Sequence, residues 1–213
     1  MLVAAAGMAE GQTKRAARPA RSSAPKQEPA QLKCPAVLGK GARTTRSYCD
    51  VLSGRDPAEG ILITIPPHTG PAAVIFDLHN RHTYSEQQVR AGRAFAEYSA
   101  TVGLLTTKND LLSRAIVRSS FRTSADLYDR VSGGTGPAGV KAVAPVGVET
   151  VRIEVPASVT EVSLLGERLV VERVEGRETF TMPGRPVAIV SNVLVEYRPA
   201  PARRTPRKPS PRR

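Results

Sequence analysis

Short apolar segments that alternate with polar residues dominate the second half of the chain. In residues 150–155 every second side chain is apolar, which is typical of a strand with one buried face. Turn residues rich in proline and glycine separate the further apolar runs at 159–165, 169–174, 178–181 and 187–197. Turns at about every 8–12 residues between short strands indicate a sandwich or barrel. The sequence therefore predicts an all-β protein, a β-sandwich of jelly-roll or immunoglobulin-like type with about nine to ten strands.

The first half of the chain contains two further strand candidates. Residues 61–65 and 72–78 are apolar, and the turn-forming residues 66–71 lie between them, so we expect these two strands to form a hairpin. The last strand, 187–197, contains Ser and Asn at 191–192, where we expect a β-bulge.

Residues 85–130 fit both helix and strand. Ser85 followed by Gln88 matches a capping box at the start of a short helix. Gly92 and the apolar run 99–107 favour a strand instead.

The glycine-rich residues 133–139 are expected to form a loop, where the domain could divide into two halves. Residues 134–139 also match the pattern G-x-G-x-x-G of dinucleotide-binding proteins. That function needs a helix after the glycines, because its N-terminal amides hold the pyrophosphate. The residues that follow are β-branched and end at Pro145, so we expect a loop and no bound cofactor.

The positive charge of the chain is concentrated at its two ends. The formal net charge is +12, of which residues 1–33 carry +4 and residues 198–213 carry +7, which leaves +1 on residues 34–197. Both ends are polar, rich in Pro, Lys and Arg and without an apolar period, so we expect disordered tails on either side of one sandwich domain at 34–197. The tail 198–213 would attract polyanions without sequence preference.

Residues 2–9 form a short run of small and apolar residues. They resemble the end of a secretory signal peptide, so residues 1–33 are interpreted as a signal-like remnant and a disordered basic linker. No apolar run reaches the about 18 residues of a membrane-spanning helix. We expect a periplasmic or secreted protein, and the alternative is a cytoplasmic protein with an alanine-rich N-terminus.

Two cysteines, Cys34 and Cys49, lie at the start of the predicted domain. A single pair around a glycine-containing loop predicts a disulfide, which agrees with export. The alternative is two buried free thiols, since cysteine is often a small core residue.

The most site-like segment, 77–84, follows a buried strand and concentrates ionisable and polar side chains. Polar residues on a loop held by a rigid strand often form a binding site. The alternative is a polar loop whose side chains satisfy backbone groups. The candidate binding residues are Asp77, His79, Asn80, Arg81, His82 and Tyr84.

The same segment offers a candidate metal site. Asp77 and His79 share one strand face, and His82 joins them if the strand turns after His79, whereas His68 lies in the preceding turn. A protein metal site usually has more than the two or three ligands that this segment could supply, so we expect no bound metal. The chain has no G-x-S-x-G and no H-E-x-x-H motif. Asp129, in a surface-like context, is interpreted as a surface residue.

Three functional hypotheses remain. The first is a non-enzymatic, exported β-sandwich module that binds a protein or envelope component through residues 77–84. The second is an exported hydrolase or metal-dependent enzyme that uses Asp77, His79 and His82. The third is a polyanion-binding protein that acts through its basic tails.

Overall fold

Two antiparallel sheets make up the protein. The computed structural model describes residues 24–131 and 141–201. The described residues form twelve β-strands in two six-stranded sheets, which confirms the predicted all-β sandwich. The number of strands exceeds the expected nine to ten, chiefly because the first four strands, all before residue 53, were not predicted.

Sheet A has the strand order β3-β4-β12-β6-β9, and β1 pairs with the second half of β12. Its strands are β1 (Lys26–Pro29), β3 (Val37–Lys40), β4 (Ser47–Leu52), β6 (Ala72–Ser85), β9 (Lys141–Val155) and β12 (Pro186–Tyr197).

Sheet B has the order β2-β5-β10-β7-β8, and β11 pairs with the second half of β10. Its strands are β2 (Gln31–Lys33), β5 (Ile61–Thr64), β7 (Ala96–Thr106), β8 (Leu111–Phe121), β10 (Glu161–Arg173) and β11 (Gly176–Phe180). One short helix, α1 (Glu86–Arg90), connects β6 to β7.

The core lies between the sheets and is built mainly from aliphatic residues of both. In β8 the inward residues Val117 and Phe121 are buried, whereas Ile116 and Arg118 are exposed, as the two-residue period of a strand requires. β6 differs, because nearly all of its residues are buried. A strand buried on both faces must be covered on both sides, and β6 has a second cover on the outer face of sheet A.

That cover is the segment 122–131, which follows β8. The backbone of Tyr128 donates to the carbonyl of Pro145 in β9 at 2.9 Å, and the N–H of Ala42 donates to the carbonyl of Arg130 at 2.8 Å. Val131 packs with Tyr48 and Ile189 in a small second apolar cluster. The segment therefore closes the outer face of sheet A over β4, β12 and β6.

Two predictions about local structure are wrong. β5 belongs to sheet B and β6 to sheet A, so the two strands do not form a hairpin. Residues 65–71 connect them across the sandwich, and seven residues readily span the about 10 Å between packed sheets. The predicted disordered linker is also wrong for residues 26–33, which contain β1 and β2. These residues are ordered because β1 pairs with β12 and β2 pairs with β5, although their composition alone favours disorder.

Residues 85–130, for which helix and strand were both open, contain both: a short helix begins after Ser85, whose side chain makes no capping hydrogen bond, and β7 and β8 follow it. Two other predictions are confirmed. The pairing of β12 with β6 shifts register between Ser191 and Leu194, which is the predicted bulge. Lys141 begins a strand rather than a helix. The glycine-rich residues 133–139, most of the N-terminal tail and residues 202–213 lie outside the described residues.

Cys34 and Cys49 form a disulfide, with Cα atoms 6.0 Å apart. Cys34 follows β2 of sheet B, and Cys49 lies in β4 of sheet A. The disulfide therefore links the two sheets. Among the described residues, no helix is long and apolar enough to cross a membrane.

Candidate functional site

Residues 77–84 lie inside the strand β6, so the prediction of a loop at this position is wrong. Along a strand, successive side chains point to opposite faces. Asn80, His82 and Tyr84 therefore face sheet B, and the other three predicted residues face the cover on the outer side. The six predicted site residues do not converge, because β6 separates them into two groups.

On the outer side, Asp77 is the centre of a polar network. Its carboxylate accepts from Arg46 at 2.6 Å, from the Thr150 hydroxyl at 2.7 Å and from Asn192 at 3.3 Å. These partners satisfy the buried carboxylate, as native proteins require. Asp77 therefore links β6 to β9, to β12 and to the segment before β4.

Arg81 is the second outward-facing charge, and its Nε lies 3.0 Å from Asp50 Oδ1 in β4. Burial raises the pKa of the Asp50 carboxyl, and the nearby Arg81 guanidinium opposes that rise. The pair links β6 to β4 across the intervening β12, while one side of Arg81 also lines a cleft described below.

His79 is fully buried on the same side. Its Nδ1–H donates to the carbonyl of Gly147 at 2.7 Å, and its Nε2 accepts from the Ser191 hydroxyl at 2.9 Å. Burial lowers the pKa of His79, so the ring is neutral at pH 7, and the Gly147 carbonyl offsets this only in part. The rings of Tyr48 and Tyr128 pack against the imidazole. The Ser–His pair is therefore covered by aromatic rings on the cover side.

Asp129 holds the cover in place and is buried, so its interpretation as a surface residue is wrong. Its carboxylate accepts from the Thr44 hydroxyl at 2.5 Å and from the Tyr48 hydroxyl at 3.1 Å. The backbone N–H groups of Arg43, Thr44 and Arg130 also donate to it. Burial alone would raise the pKa of Asp129, but these hydrogen bonds outweigh burial and lower it to about 2.

On the inner side, Asn80 connects the two sheets. Its amide donates to the Ser119 hydroxyl at 2.9 Å and to the Val117 carbonyl at 3.3 Å, both in β8. His82 faces the same way, since its Nδ1 lies 2.6 Å from the Tyr98 hydroxyl in β7. His79 and His82 thus point to opposite faces of β6, and Asp77, His79 and His82 cannot share an ion in this arrangement. The described residues contain no group of three or more potential metal ligands.

A cleft of about 950 Å³ opens between the sheets at the end of the sandwich where β6 finishes. The end of β6 and α1 form one side, and the β10–β11 hairpin forms the other. Buried residues of the two sheets form its floor. The lining includes Arg81, His82, Arg93, Phe95, Tyr98, Arg173, Glu175, Glu178, Phe180 and Arg185.

Four arginines outnumber two glutamates in the lining and give this cleft a positive character. Arg81 is paired with Asp50, and Arg173 pairs with Glu178 at 2.7 Å. Arg185 lies over the ring of Phe180, 3.6 Å from its centroid. The side chain of Arg93 makes no ion pair with any residue that the structure describes. Arg93 and Arg185 are therefore exposed cations available to an anionic ligand.

No sequence pattern identifies this cleft as one site. Its residues come from positions 81–98 and 169–186, on five strands and three connections. One local signal was present, since Glu175 and Gly176 interrupt an apolar run and mark the turn of the β10–β11 hairpin. Of the predicted binding residues, Arg81 and His82 line the cleft.

No family model and no curated protein matches the chain. One similar solved structure is the infectious bursal disease virus VP2 subviral particle, with 16% identity over 83% of this chain and 34% of that chain and a TM-score of 0.28. Another is the T13 viral particle of the same virus, with 13% identity over 84% and 41% and a TM-score of 0.25. This chain spans less than half the length of those chains. At such TM-scores the likeness supports no inference about function.

Proposed function

We propose that this domain is a non-enzymatic binding module of the periplasm or secreted space, and that it binds an anionic envelope component in the cleft between its sheets. The observation that carries the proposal is the cleft itself, about 950 Å³ in volume and lined by four arginines. Clefts of this size with a few convergent polar groups are the usual sites of ligand binding.

The residues that could form a catalytic pair are buried, and this supports a binding role over a hydrolase. His79 and Ser191 form a hydrogen bond that a hydrolase could use, but both are almost fully buried, and a nucleophile must reach its substrate. The disulfide between Cys34 and Cys49 supports export, because such bridges persist in oxidising compartments.

Thermal unfolding of the full chain in the presence of small anions tests the proposal. The probes are citrate and trigalacturonate, with the neutral maltotriose as a control, all at one ionic strength. At a ligand concentration about 100 times its Kd, binding stabilises the folded state by about 2.7 kcal/mol. For a domain of this size we expect a rise in Tm of about 5–10 °C with the two anions.

A double variant, Arg93→Ala with Arg185→Ala, removes the two exposed cations of the cleft. We expect its Tm shift with the anions to fall sharply, since each charge-assisted hydrogen bond contributes about tenfold to affinity. Arg118→Ala is the matched control, because Arg118 is exposed on the outer face of β8, outside the cleft. Equal Tm shifts in the double variant and the wild type would show that the anions bind elsewhere.

A further inference from the structure

His82 is the most restrained side chain of the cleft. Its ring stacks on Phe121, with centroids 3.8 Å apart and planes 21° apart, and the edges of Tyr84 and Tyr98 pack around it. The residue is 5% exposed. Its Nδ1 is paired with the Tyr98 hydroxyl, but Nε2 has no hydrogen-bond partner among the described residues. A fixed, buried polar atom without a partner needs a physical explanation.

The hydrogen bonds indicate where the ring proton lies. Among the described residues, the Tyr98 hydroxyl has one partner, His82 Nδ1, at 2.6 Å. If His82 Nδ1 donates to the hydroxyl of Tyr98, the hydroxyl proton and the Nε2 lone pair both lack a hydrogen-bond partner. If the Tyr98 hydroxyl donates to Nδ1, only the Nε2–H group lacks a hydrogen-bond partner. Because each buried unsatisfied group costs about 1–3 kcal/mol, the second arrangement is favoured and Nε2 carries the proton.

Both members of this pair are neutral at pH 7. Burial lowers the pKa of His82 to about 4, and the nearby Arg173 adds to this effect. Burial raises the pKa of Tyr98 to about 12, and Arg173 opposes this rise. The Nε2–H group is therefore a neutral donor at pH 7, and it belongs to a residue that lines the cleft.

We infer that His82 Nε2–H is a ligand-binding group, which donates a hydrogen bond to an oxyanion oxygen of the ligand in the cleft. The neighbouring Arg173, Arg93 and Arg185 favour an anionic acceptor over a neutral one. The ligand therefore carries a carboxylate or a phosphate group, and this group lies against His82. This inference rests on the proposed function and adds the chemical class of the ligand and the atom that contacts it.

Nitrogen NMR of the full chain tests the inference directly. With ¹⁵N-labelled histidine, long-range ¹H–¹⁵N correlations distinguish a protonated from an unprotonated ring nitrogen. We expect a protonated Nε2 and an unprotonated Nδ1 for His82. Addition of citrate, or of inorganic phosphate in a second titration, should move the Nε2 resonance of His82 and leave the protonation pattern unchanged. The probe that acts at lower concentration identifies the oxyanion as carboxylate or phosphate.

His82→Phe provides a second test, because a slightly larger aromatic ring can still stack on Phe121 but carries neither the Nε2–H donor nor the Nδ1 partner of Tyr98. We expect it to bind the active probe about tenfold more weakly, which is the loss of one hydrogen bond to a charged acceptor. Arg118→Ala should bind like the wild type.

The outcomes separate the two proposals. If the anions bind and Arg93 and Arg185 are required, but the His82 Nε2 resonance does not move, the inference is wrong and the proposed function stands. An unprotonated Nε2 in the free protein would also overturn the inference, even if His82→Phe failed to fold. If neither probe binds the full chain, both proposals are wrong.

Discussion

One buried carboxylate, that of Asp129, holds the cover on the outer face of sheet A. The substitution Asp129→Asn measures how much this carboxylate contributes to the free energy of unfolding. The Asp129 carboxylate accepts five hydrogen bonds, from the hydroxyls of Thr44 and Tyr48 and from the backbone of Arg43, Thr44 and Arg130. Asparagine has nearly the same shape but no charge, and its amide nitrogen cannot accept. The substitution therefore removes the charge and turns one acceptor oxygen into a donor, while it leaves the side-chain volume almost unchanged.

The pKa of Asp129 gives the magnitude of the effect. The carboxyl titrates at about 2 in the folded protein, against an ordinary value of 3.8. At 1.36 kcal/mol for each pKa unit, the ionised carboxylate stabilises the folded state by about 2 kcal/mol. Because the folded pKa lies below the unfolded one, this stabilisation is complete above about pH 4 and is lost as the pH falls towards 2.

Urea unfolding of the wild type and of Asp129→Asn at several pH values measures this effect. We expect the variant to be less stable by about 2 kcal/mol at pH 7, and the difference to decrease steadily below about pH 4. Asp110→Asn is the control, since Asp110 lies in the exposed turn between β7 and β8 and should change stability by less than about 0.5 kcal/mol. A difference that stays constant between pH 7 and pH 2.5 would refute the electrostatic argument.

Two further predictions concern the contacts between the sheets. Replacing both Cys34 and Cys49 by serine should lower the free energy of unfolding by about 3 kcal/mol, as expected for a loop of this size, and reductant should then have no further effect in a urea titration. Gly166→Ala should cost about 1–3 kcal/mol, because a Cβ there would lie 2.1 Å from Val187 Cγ2, whereas Gly54→Ala, with its nearest atom at 3.3 Å, should cost less in the same assay. Equal losses for the two glycine variants would contradict the close approach of the sheets at this point.

Much of the sandwich could be predicted from local patterns. The apolar and alternating runs correctly predict β12 and the last six residues of β9, and they predict β10 as two strands where the structure has one. Ser191 with Asn192 correctly predicts the bulge in β12. The short strands β1 and β2 could not be predicted in this way. They are exposed and polar, and they become strands because β12 and β5 offer them backbone partners.

Residues 77–84 were predicted to be a loop, and this prediction is wrong for a physical reason. Polar residues in a row usually indicate a loop, because a strand normally exposes one polar face. In β6 both faces are buried, and most of the polar groups have partners far away in the chain, such as Asn192 for Asp77, 115 residues apart. Asn80 Oδ1 and His82 Nε2 have none among the described residues. The cover that makes this possible is bound through Asp129 to Thr44, 85 residues distant. No local pattern contains such pairings.

The claim that the ligand binds in the cleft is tested most directly by chemical-shift mapping of the full chain with citrate. If the account is correct, the largest backbone amide shifts occur at residues on both sides of the cleft, including Arg93, Phe180 and Arg185, and they saturate together with the His82 Nε2 resonance. Shifts confined to residues 1–33 and 198–213 would show that the basic ends bind the anion, and they would contradict the assignment of the cleft.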